Sequence, residues 1–278
     1  MRGRKFRWES KRVVVTGAGS GIGRGLAVRL AAKGTRLALS DIQPEGLAET
    51  AEQARSAGAA QVLEYALDVA DRPAVRAHVT SVLEDLQGVD AVINNAGVAL
   101  AAEATEQSLA DIDWLMNINL RGVMDLSQLF LPHLIASGDG CLVNLSSVFG
   151  LIGIPGQSAY NAAKFGVRGY TEALAMEMQL KDHPVSVHCV HPGGVATNIV
   201  RDSRVVGRDR GDLAEKFAKT AKTSPDTAAG QIIRGVERGT RRILVGADAH
   251  IIHFMANALG SGYQRLIPPM IKRWVGDV

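Results

Sequence analysis

The amino-acid sequence predicts an α/β protein built on a doubly wound, mostly parallel seven-stranded sheet with helices on both faces. Two observations predict this fold class. Short β-branched and apolar runs alternate with longer amphipathic stretches through most of the 278 residues. Gly, Asn, Ser and Asp are concentrated at the carboxyl ends of the apolar runs, where sheets of this kind bind their ligands.

The first elements of the chain form a βαβ unit. RVVVTG from Arg12 is a predicted strand, residues 21–33 have helical periodicity, and RLALSD is a second strand that ends at Asp41. A helix after Pro44, a strand at VLEYALD, a helix that opens near Pro73 and a strand at VDAVINNAG continue the alternation. Strands separated by helices in this way are expected to run parallel.

The second half of the chain repeats the pattern with longer helices. A helical region over 108–137 precedes the strand GCLVNLSS, and a helix over 158–180 precedes the strand VSVHCVHPG. A last helix and the strand RRILVG complete seven strands, most of them too apolar to expose a face to water. Since no repeat or low-complexity stretch divides the middle of the chain, we expect one domain there.

The composition is typical of a soluble globular protein, with 46% hydrophobic and 21% charged residues. The formal net charge of +3 comes from the N-terminus, because the first twelve residues alone carry +5. The rest of the chain is slightly acidic, so a nucleic-acid partner is not expected. We interpret residues 1–10 as a basic, solvated N-terminal arm.

Neither a membrane span nor a secretory signal is recognisable. No run of eighteen apolar residues is present, and the N-terminus lacks the apolar segment of a signal peptide. We therefore expect a cytoplasmic protein without a transmembrane segment. Cys141 and Cys189 both lie in apolar strands, where small buried side chains are more common than disulfides, metal ligands or nucleophiles, so no metal site is predicted.

Glycines follow the first strand where the chain must turn sharply into a helix. TGAGSGIG, from Thr16 to Gly23, lets the backbone approach a pyrophosphate while the helix N-terminus offers free N–H groups. The spacing differs from the G-x-G-x-x-G dinucleotide motif, and an ordinary glycine-rich turn is the alternative interpretation. The loop favours a nucleotide-binding Rossmann fold.

Asp41 ends the second strand, 20 residues beyond Gly21. A carboxylate at this place accepts hydrogen bonds from an adenosine ribose and repels a 2′-phosphate, which favours NAD over NADP. A helix-capping role ahead of Pro44 is the alternative, and Arg24 or Arg36 within reach of a phosphate would allow NADP.

Tyr160 and Lys164 are spaced by about one helical turn, so their side chains share one face of the helix. A phenol with an ordinary pKa near 10 is a poor base at neutral pH, and a neighbouring cation favours its phenolate form. Ser147, 13 residues earlier, ends a strand where its hydroxyl can donate to a substrate oxygen. Ser146 is the rival, and strand alternation allows only one of the two to serve.

Taken together, these motifs resemble the short-chain dehydrogenase/reductase family over roughly residues 10–246. The matching motifs occur in the order of that family: TGAGSGIG, the Asp-Val pair at Asp68, NNAG at Asn94, Asn119, Ser147, YNAAK at Tyr160, and HPGGVAT ending at Thr197. The resemblance implies that Tyr160 is the general acid or base, that Ser147 orients the carbonyl oxygen, that Lys164 holds the nicotinamide ribose and lowers the Tyr160 pKa, and that Asn119 anchors a water.

The resemblance also implies a set of cofactor contacts along the carboxyl edge of the sheet. These are Gly17, Gly19, Ser20, Gly21, Ile22, Gly23, Asp41, Ile42, Asp68, Val69, Asn95, Ala96, Gly97, Tyr160, Lys164, Pro192, Gly193, Val195 and Thr197. By contrast, we interpret His188 and His191 as structural strand histidines, and Trp114 and Met116 as helix packing.

Two segments carry no motif. The stretch at about 197–223 is dense in charged residues and resembles the substrate loop of the family; the alternative is a solvated linker with a surface helix over 212–222. The extension 247–278 is apolar at 251–259 and again around Met270, Ile271 and Trp274. This apolar surface needs an explanation, and three are open: it packs on the same subunit, it contacts a partner subunit, or it contacts a membrane surface or forms a hydrophobic substrate entrance. A homodimer is our first expectation and a homotetramer the second.

The sequence therefore predicts a basic arm (1–10), a dinucleotide-binding and catalytic domain (11–246) and an apolar extension (247–278). The predicted activity is hydride transfer between NAD(H) and a small secondary alcohol or ketone, with hydrophobic substrates among the candidates. An NAD(P)-binding regulatory or scaffold protein without turnover is the alternative function.

Overall fold

The computed structural model describes residues 4–199, 203–207 and 209–269. Its first half contains β1 (Arg12–Thr16), α1 (Gly21–Ala31), β2 (Arg36–Asp41), α2 (Pro44–Ser56), β3 (Gln61–Ala66), α3 (Arg72–Leu86), β4 (Ala91–Asn94) and β5 (Leu100–Ala101). Then follow α4 (Leu109–Met116), a π-helical turn (Asn117–Gly122), α5 (Val123–Ala136), β6 (Gly140–Leu145), a 3₁₀ turn (Val148–Gly150) and α6 (Ser158–Leu180).

The last third contains β7 (Val185–Pro192), β8 (Arg204–Val205), α7 (Arg210–Thr220), α8 (Pro225–Glu237), β9 (Arg242–Val245), α9 (Ala247–Leu259) and a 3₁₀ turn (Gly260–Arg265). Seven strands form one parallel sheet in the order β3-β2-β1-β4-β6-β7-β9. The predicted doubly wound seven-stranded sheet is confirmed. The strand order reverses between β1 and β4, which opens a crevice at their carboxyl ends.

Two hydrophobic cores cover the two faces of this sheet. Val13 and Val15 of β1 belong to the core that α1, α2 and α8 complete, whereas Val14 belongs to the core completed by α3, α5 and α6. This alternation follows directly from the two-residue period of a strand. It explains why the strands read as continuous apolar runs: both faces are buried.

The N-terminal arm, which the sequence analysis interprets as solvated, is partly buried in the structure. Phe6 and Trp8 are buried in the first core, with their rings in an edge-to-face contact at a centroid distance of 4.9 Å. The arm from residue 4 onward is therefore packed rather than solvated at these two positions. The interpretation failed because the basic residues around the aromatic pair dominate the composition of the segment, while residues 1–3 lie outside the described part.

The helical elements differ from the prediction in detail. The region predicted as one helix over 108–137 contains the π-helical turn in its middle. The surface helix predicted over 212–222 begins at Arg210, because the Asp209 carboxylate caps it by accepting a hydrogen bond from the Asp212 N–H at 2.7 Å. A separate two-stranded parallel sheet, β5 with β8, has no counterpart in the sequence prediction.

Candidate active site

The glycine loop is held against the end of β4 by Thr16 and Asn95. The Thr16 hydroxyl accepts hydrogen bonds from the main-chain N–H groups of Asn95 and Ala96, each at 3.1 Å. The Asn95 amide donates to the carbonyls of Thr16 and Gly17 at 2.9 and 3.0 Å. Gly17 has a φ of +63°, and a β-carbon there would lie 2.8 Å from the Ala96 Cα, so only glycine fits.

The same loop faces Asp41 on one side and Thr197 on the other. A β-carbon on Gly19 would lie 2.9 Å from the Asp41 carboxyl carbon, and one on Gly21 would lie 3.0 Å from the Thr197 methyl group. Ser20 is the N-cap residue of α1, and Ile22 and Gly23 are in its first turn. The glycines thus form a narrow cradle at the helix N-terminus, in which β-carbons at positions 17, 19 and 21 would not fit without a shift of their neighbours.

Asp41 lies at the carboxyl end of β2, as the sequence predicts. One carboxylate oxygen accepts the Gly19 N–H at 2.8 Å, and the other accepts the Gln43 N–H at 2.9 Å. Each oxygen keeps a further lone pair for a ligand hydroxyl. The next residue, Ile42, is exposed.

Neither candidate arginine stands ready to receive a 2′-phosphate at Asp41. Arg24 donates to the Gly19 carbonyl at 2.7 Å and to the Thr50 hydroxyl at 3.0 Å, and it forms an ion pair with Glu49. Arg36 begins β2, at the end of the strand opposite Asp41. Arg24 is therefore engaged by other groups, and Arg36 lies at the far end of β2 from Asp41.

The structure brings Ser147, Tyr160 and Lys164 together at the carboxyl edge of β6. The Ser147 side chain lies close enough to the Tyr160 phenol to lower its pKa, and the Lys164 ammonium lies 5.6 Å from the centroid of the phenol ring. Lys164 also donates to the Leu145 carbonyl at 3.1 Å. Ser146 points elsewhere, because its hydroxyl donates to the main-chain carbonyl of Lys164 at 2.8 Å.

Burial controls the ionisation of this group. It raises the pKa of Tyr160 to about 12, against the hydrogen bond from Ser147, which lowers it. Burial also lowers the pKa of Lys164 to about 8. Lys164 is therefore still mostly charged at neutral pH, and Tyr160 is a phenol when no other positive charge is nearby.

Asn119 lies in the π-helical turn and is fixed by Val98, the residue that follows the NNAG motif. Its amide oxygen accepts the Val98 N–H and its amide nitrogen donates to the Val98 carbonyl, both at 2.8 Å. A β-carbon on Gly97 would lie 3.1 Å from the Asn119 amide oxygen and 3.5 Å from the Lys164 ammonium. Gly97 therefore lets the chain pass close to both side chains.

The remaining predicted cofactor contacts line the same edge. Asp68 and Val69 follow β3, and the Val69 carbonyl approaches Gly122 of the π-helical turn. Pro192 ends β7, and the Gly193 N–H donates to the Val245 carbonyl at 2.9 Å. Val195 is buried and pairs with Thr223 in an isolated bridge.

Sequence reasoning missed two residues of the C-terminal extension. The Asp248 carboxylate accepts the Gly194 N–H at 2.6 Å, and the Tyr263 hydroxyl accepts the Gly153 N–H at 2.9 Å. The two glycines lie on either side of the site, one after β7 and the other between Ser147 and Tyr160. No local signal identifies these contacts, although an aspartate in the first turn of an apolar helix is a recognisable feature.

The predicted substrate loop is described except for residues 200–202 and 208. Within it, Arg204 lies 3.9 Å from the Trp114 ring centroid and forms an ion pair with Asp111 at 2.7 Å. Through β5 and β8 the loop pairs with the chain that leaves the NNAG motif. Trp114 is partly buried: it packs against the hydrophobic cluster that contains Tyr160, and Arg204 of the loop lies over its ring.

The extension is partly packed on its own subunit. Ile267 is buried, while Ile251 and Phe254 on α9 are 68% and 74% exposed. Met270, Ile271 and Trp274, named in the sequence analysis, lie outside the described residues. Among the described residues, no helix is long and apolar enough to cross a membrane, and no cluster of three or more His, Cys, Asp or Glu side chains could hold a metal.

Comparison with known proteins decides the family. The family model described as short chain dehydrogenase matches residues 11–205. The chain belongs to this family. Among curated relatives of this short-chain dehydrogenase, the SadH protein of Mycobacterium tuberculosis is 48% identical over 269 residues, which cover 96% of this chain and 97% of SadH. The levodione reductase of Leifsonia aquatica is 39% identical over 71% of this chain and 74% of its own.

Solved structures agree with this assignment. A short-chain dehydrogenase/reductase from Burkholderia phymatum in complex with NAD superposes with a TM-score of 0.85 at 26% identity, covering 94% of this chain and 96% of that one. The crystal structure of levodione reductase gives a TM-score of 0.78 at 29% identity, covering 88% and 99% of the two chains. The chain is an oxidoreductase of this family with its fold.

Proposed function

We propose that this short-chain dehydrogenase transfers a hydride between NAD(H) and a secondary alcohol or the matching ketone, with Tyr160 as general acid and base. The observation that carries the proposal is the group of Ser147, Tyr160 and Lys164 at the mouth of the crevice, beside a glycine cradle. The named activity of the levodione reductase and the NAD in the Burkholderia phymatum complex point the same way.

The residues at the cradle fit an NAD molecule. The strand-to-helix turn has glycine at positions 17, 19 and 21, where a pyrophosphate needs close approach to backbone N–H groups, and β-carbons there would press against Ala96, Asp41 or Thr197. Asp41 has lone pairs left for ribose hydroxyls, and the arginine side chains described above are engaged or distant. We therefore propose NAD as the preferred cofactor over NADP.

The other predicted contacts would hold the remaining parts of the cofactor. We propose that Asp68 and Val69 contact the adenine, that Asn95, Ala96 and Gly97 line the crevice, and that Pro192, Gly193, Val195 and Thr197 border the nicotinamide. Lys164 would hold the nicotinamide ribose. The cofactor supplies the carbon that accepts or gives the hydride.

In the alcohol-oxidising direction, Tyr160 takes the proton from the substrate hydroxyl as the hydride leaves the carbon. Ser147 donates to the substrate oxygen and keeps it within reach of the phenol. The Lys164 ammonium, 5.6 Å from the centroid of the phenol ring, would favour the phenolate through its positive charge. Asn119, whose side-chain amide is held by Val98, would anchor a relay water.

The surroundings of Tyr160 favour an apolar substrate. Tyr160 packs with Leu100, Ala159 and, from the substrate loop, Val206 in a small hydrophobic cluster. The Phe149 ring meets the Tyr160 ring edge to face at 5.9 Å. A carbon skeleton beside the reacting carbon would therefore meet hydrocarbon rather than charge.

The test is a panel of secondary alcohols, diols, steroids and acyl-chain ketones with NAD(H) and NADP(H), followed by nicotinamide absorbance. We expect turnover with NAD(H), and a loss of about 10²- to 10⁴-fold in Tyr160→Phe, which removes the proton-transferring group. Alcohol oxidation should rise with pH because it needs the phenolate. Tyr170→Phe is the control, since among the described residues the Tyr170 hydroxyl makes only a long hydrogen bond of 3.4 Å to the Met124 carbonyl.

The alternative function, a nucleotide-binding regulator without turnover, predicts a different result. Wild-type protein that binds NAD tightly but converts no member of the panel would support the regulator. Full activity in Tyr160→Phe would remove Tyr160 from the proposed mechanism.

A further inference from the structure

Two buried histidines lie on β7, three residues apart, in closely similar surroundings. His188 and His191 are 1% and 0% exposed, and in each the Nδ1–H donates to a main-chain carbonyl. Burial is the main cause that lowers both pKa values to about 4. Both rings are therefore neutral, with the proton on Nδ1, across the range in which enzymes work.

The two histidines differ in what they hold. His188 donates at 2.8 Å to the carbonyl of Thr240, in the turn before β9 and away from the site. His191 donates at 2.9 Å to the carbonyl of Ser147. His188 thus joins β7 to the turn before β9, whereas His191 contacts Ser147, the residue that lowers the Tyr160 pKa.

The His191 bond lies where β6 leaves the sheet. The last backbone bond between β6 and β7 runs from the Ser146 N–H to the Val190 carbonyl at 2.8 Å. Ser147 is one residue further on, and its carbonyl accepts only the Gly150 N–H of the 3₁₀ turn, at 2.9 Å, as a main-chain partner within the described chain. The imidazole of His191 supplies the support that the sheet no longer gives.

This support bears on the direction of the Ser147 side chain. The Ser147 hydroxyl accepts the Phe149 N–H at 3.1 Å and meets the Tyr160 phenol, so a rotation of its peptide would move the hydroxyl away from the phenol. A misplacement of about 1 Å in such a group is enough to cost about 100-fold in rate.

We propose that His191 is a positioning residue, which fixes the Ser147 peptide through its Nδ1–H and so keeps the Ser147 hydroxyl aligned with Tyr160 and the substrate oxygen. This inference rests on the proposed function. It assigns His191 no proton transfer, and it gives this strand histidine a role that its twin His188 lacks.

The experiment compares four variants of the full chain with the panel alcohol that the wild type oxidises fastest. His191→Leu removes the donor, His191→Asn places an amide N–H near the position of Nδ1, and His191→Gln carries its amide one carbon further out. His188→Leu is the matched control, because it removes an equivalent bond from an equally buried site on the same strand.

We expect His191→Leu and His191→Gln to lose about 10- to 100-fold in kcat with little change in the KM for NAD. His191→Asn should keep kcat within about threefold, and His188→Leu should lower the unfolding temperature without lowering kcat. The pH at which alcohol oxidation reaches half its maximum should rise in His191→Leu alone among the leucine variants, because a misaligned Ser147 no longer lowers the Tyr160 pKa.

Equal kinetics in His191→Leu and His188→Leu would overturn the inference, and so would equal losses in the Asn and Gln variants. If His191→Leu does not fold, the Asn and Gln pair decides the question. Failure of the inference leaves the wild type active, whereas a wild type inactive on the whole panel overturns the proposed function and the inference together.

Discussion

Tyr160 depends on its neighbours for its proposed chemistry. Burial alone holds the pKa of the phenol far above neutrality, Ser147 lowers it, and the Lys164 ammonium lies 5.6 Å from the ring centroid, where we propose that its charge favours the phenolate. Lys164 keeps its charge at neutral pH despite burial, since its pKa is lowered only to about 8. The site is therefore arranged so that the arrival of a positively charged nicotinamide would complete the shift toward phenolate.

Asp41 is the residue on which the proposed cofactor preference depends. Asp41→Asn keeps an oxygen for the Gly19 N–H but removes the charge that repels a 2′-phosphate. We expect the ratio of kcat/KM with NADP to that with NAD to rise about tenfold, since a charged hydrogen bond is worth about 1.5 kcal/mol or more. Steady-state kinetics with both cofactors measure it.

Glu45→Gln is the control for Asp41, because it removes an exposed carboxylate from the first turn of α2 without touching the loop. An unchanged cofactor ratio in Asp41→Asn, or the same change in both variants, would show that Asp41 does not select the cofactor.

At the level of single elements, the sequence predicts what is periodic and misses what is not. The seven strands and the Tyr160–Lys164 pair were predictable because short continuous apolar runs and helical spacing are local features. The sequence of the π-helical turn at 117–122 predicts an ordinary α-helix. A π-helix differs from an α-helix in its backbone hydrogen bonds, which run from i to i+5, and the side chains here give no sign of that difference. The two-residue strands β5 and β8 are too short for any period.

α9 shows the same limit in the extension. Its sequence predicts only an apolar helix that must pack against something. The structure shows that the Asp248 carboxylate in its first turn accepts a hydrogen bond from the main-chain N–H of Gly194, 54 residues earlier. Contacts of this sequence separation arise from the tertiary fold. The family model that matches residues 11–205 ends before this element.

Asp248 of α9 should be required for a rigid turn after β7. Asp248→Ala leaves the Gly194 N–H without its acceptor, and the turn that leads to Val195 and Thr197 loosens. We expect the KM for NAD to rise about tenfold and the free energy of unfolding to fall by about 1 kcal/mol. Asp248→Asn, which keeps an oxygen, is the control; an unchanged KM in the alanine variant would contradict the role.

On the scale of the whole molecule, the two ends of the parallel strands carry different features: the proposed site lies at the carboxyl ends, and the N-terminal arm packs at the amino ends. The carboxyl edge carries the glycine loop, Asp41, Ser147 and Tyr160. The opposite edge is closed by the N-terminal arm. There Lys33, just after α1, pairs with Glu9 of the arm and Glu237 of α8, and Arg4 and Lys11 pair with Asp139. The composition of the arm conceals this, because its charges outnumber the two aromatic residues that pack.

Trp8 should therefore contribute to stability and not to catalysis. Trp8→Ala removes a completely buried indole from the first core, and we expect it to lower the free energy of unfolding by about 3–5 kcal/mol. Arg7→Ala, at the exposed position next to it, should change the same quantity by less than about 0.5 kcal/mol. Urea unfolding measures both. Because Trp8 lies at the edge opposite the site, kcat and KM of Trp8→Ala, measured well below the unfolding transition, should match those of the wild type. If Trp8→Ala loses no more stability than Arg7→Ala, the arm does not contribute to the core and is the solvated segment that its composition suggests.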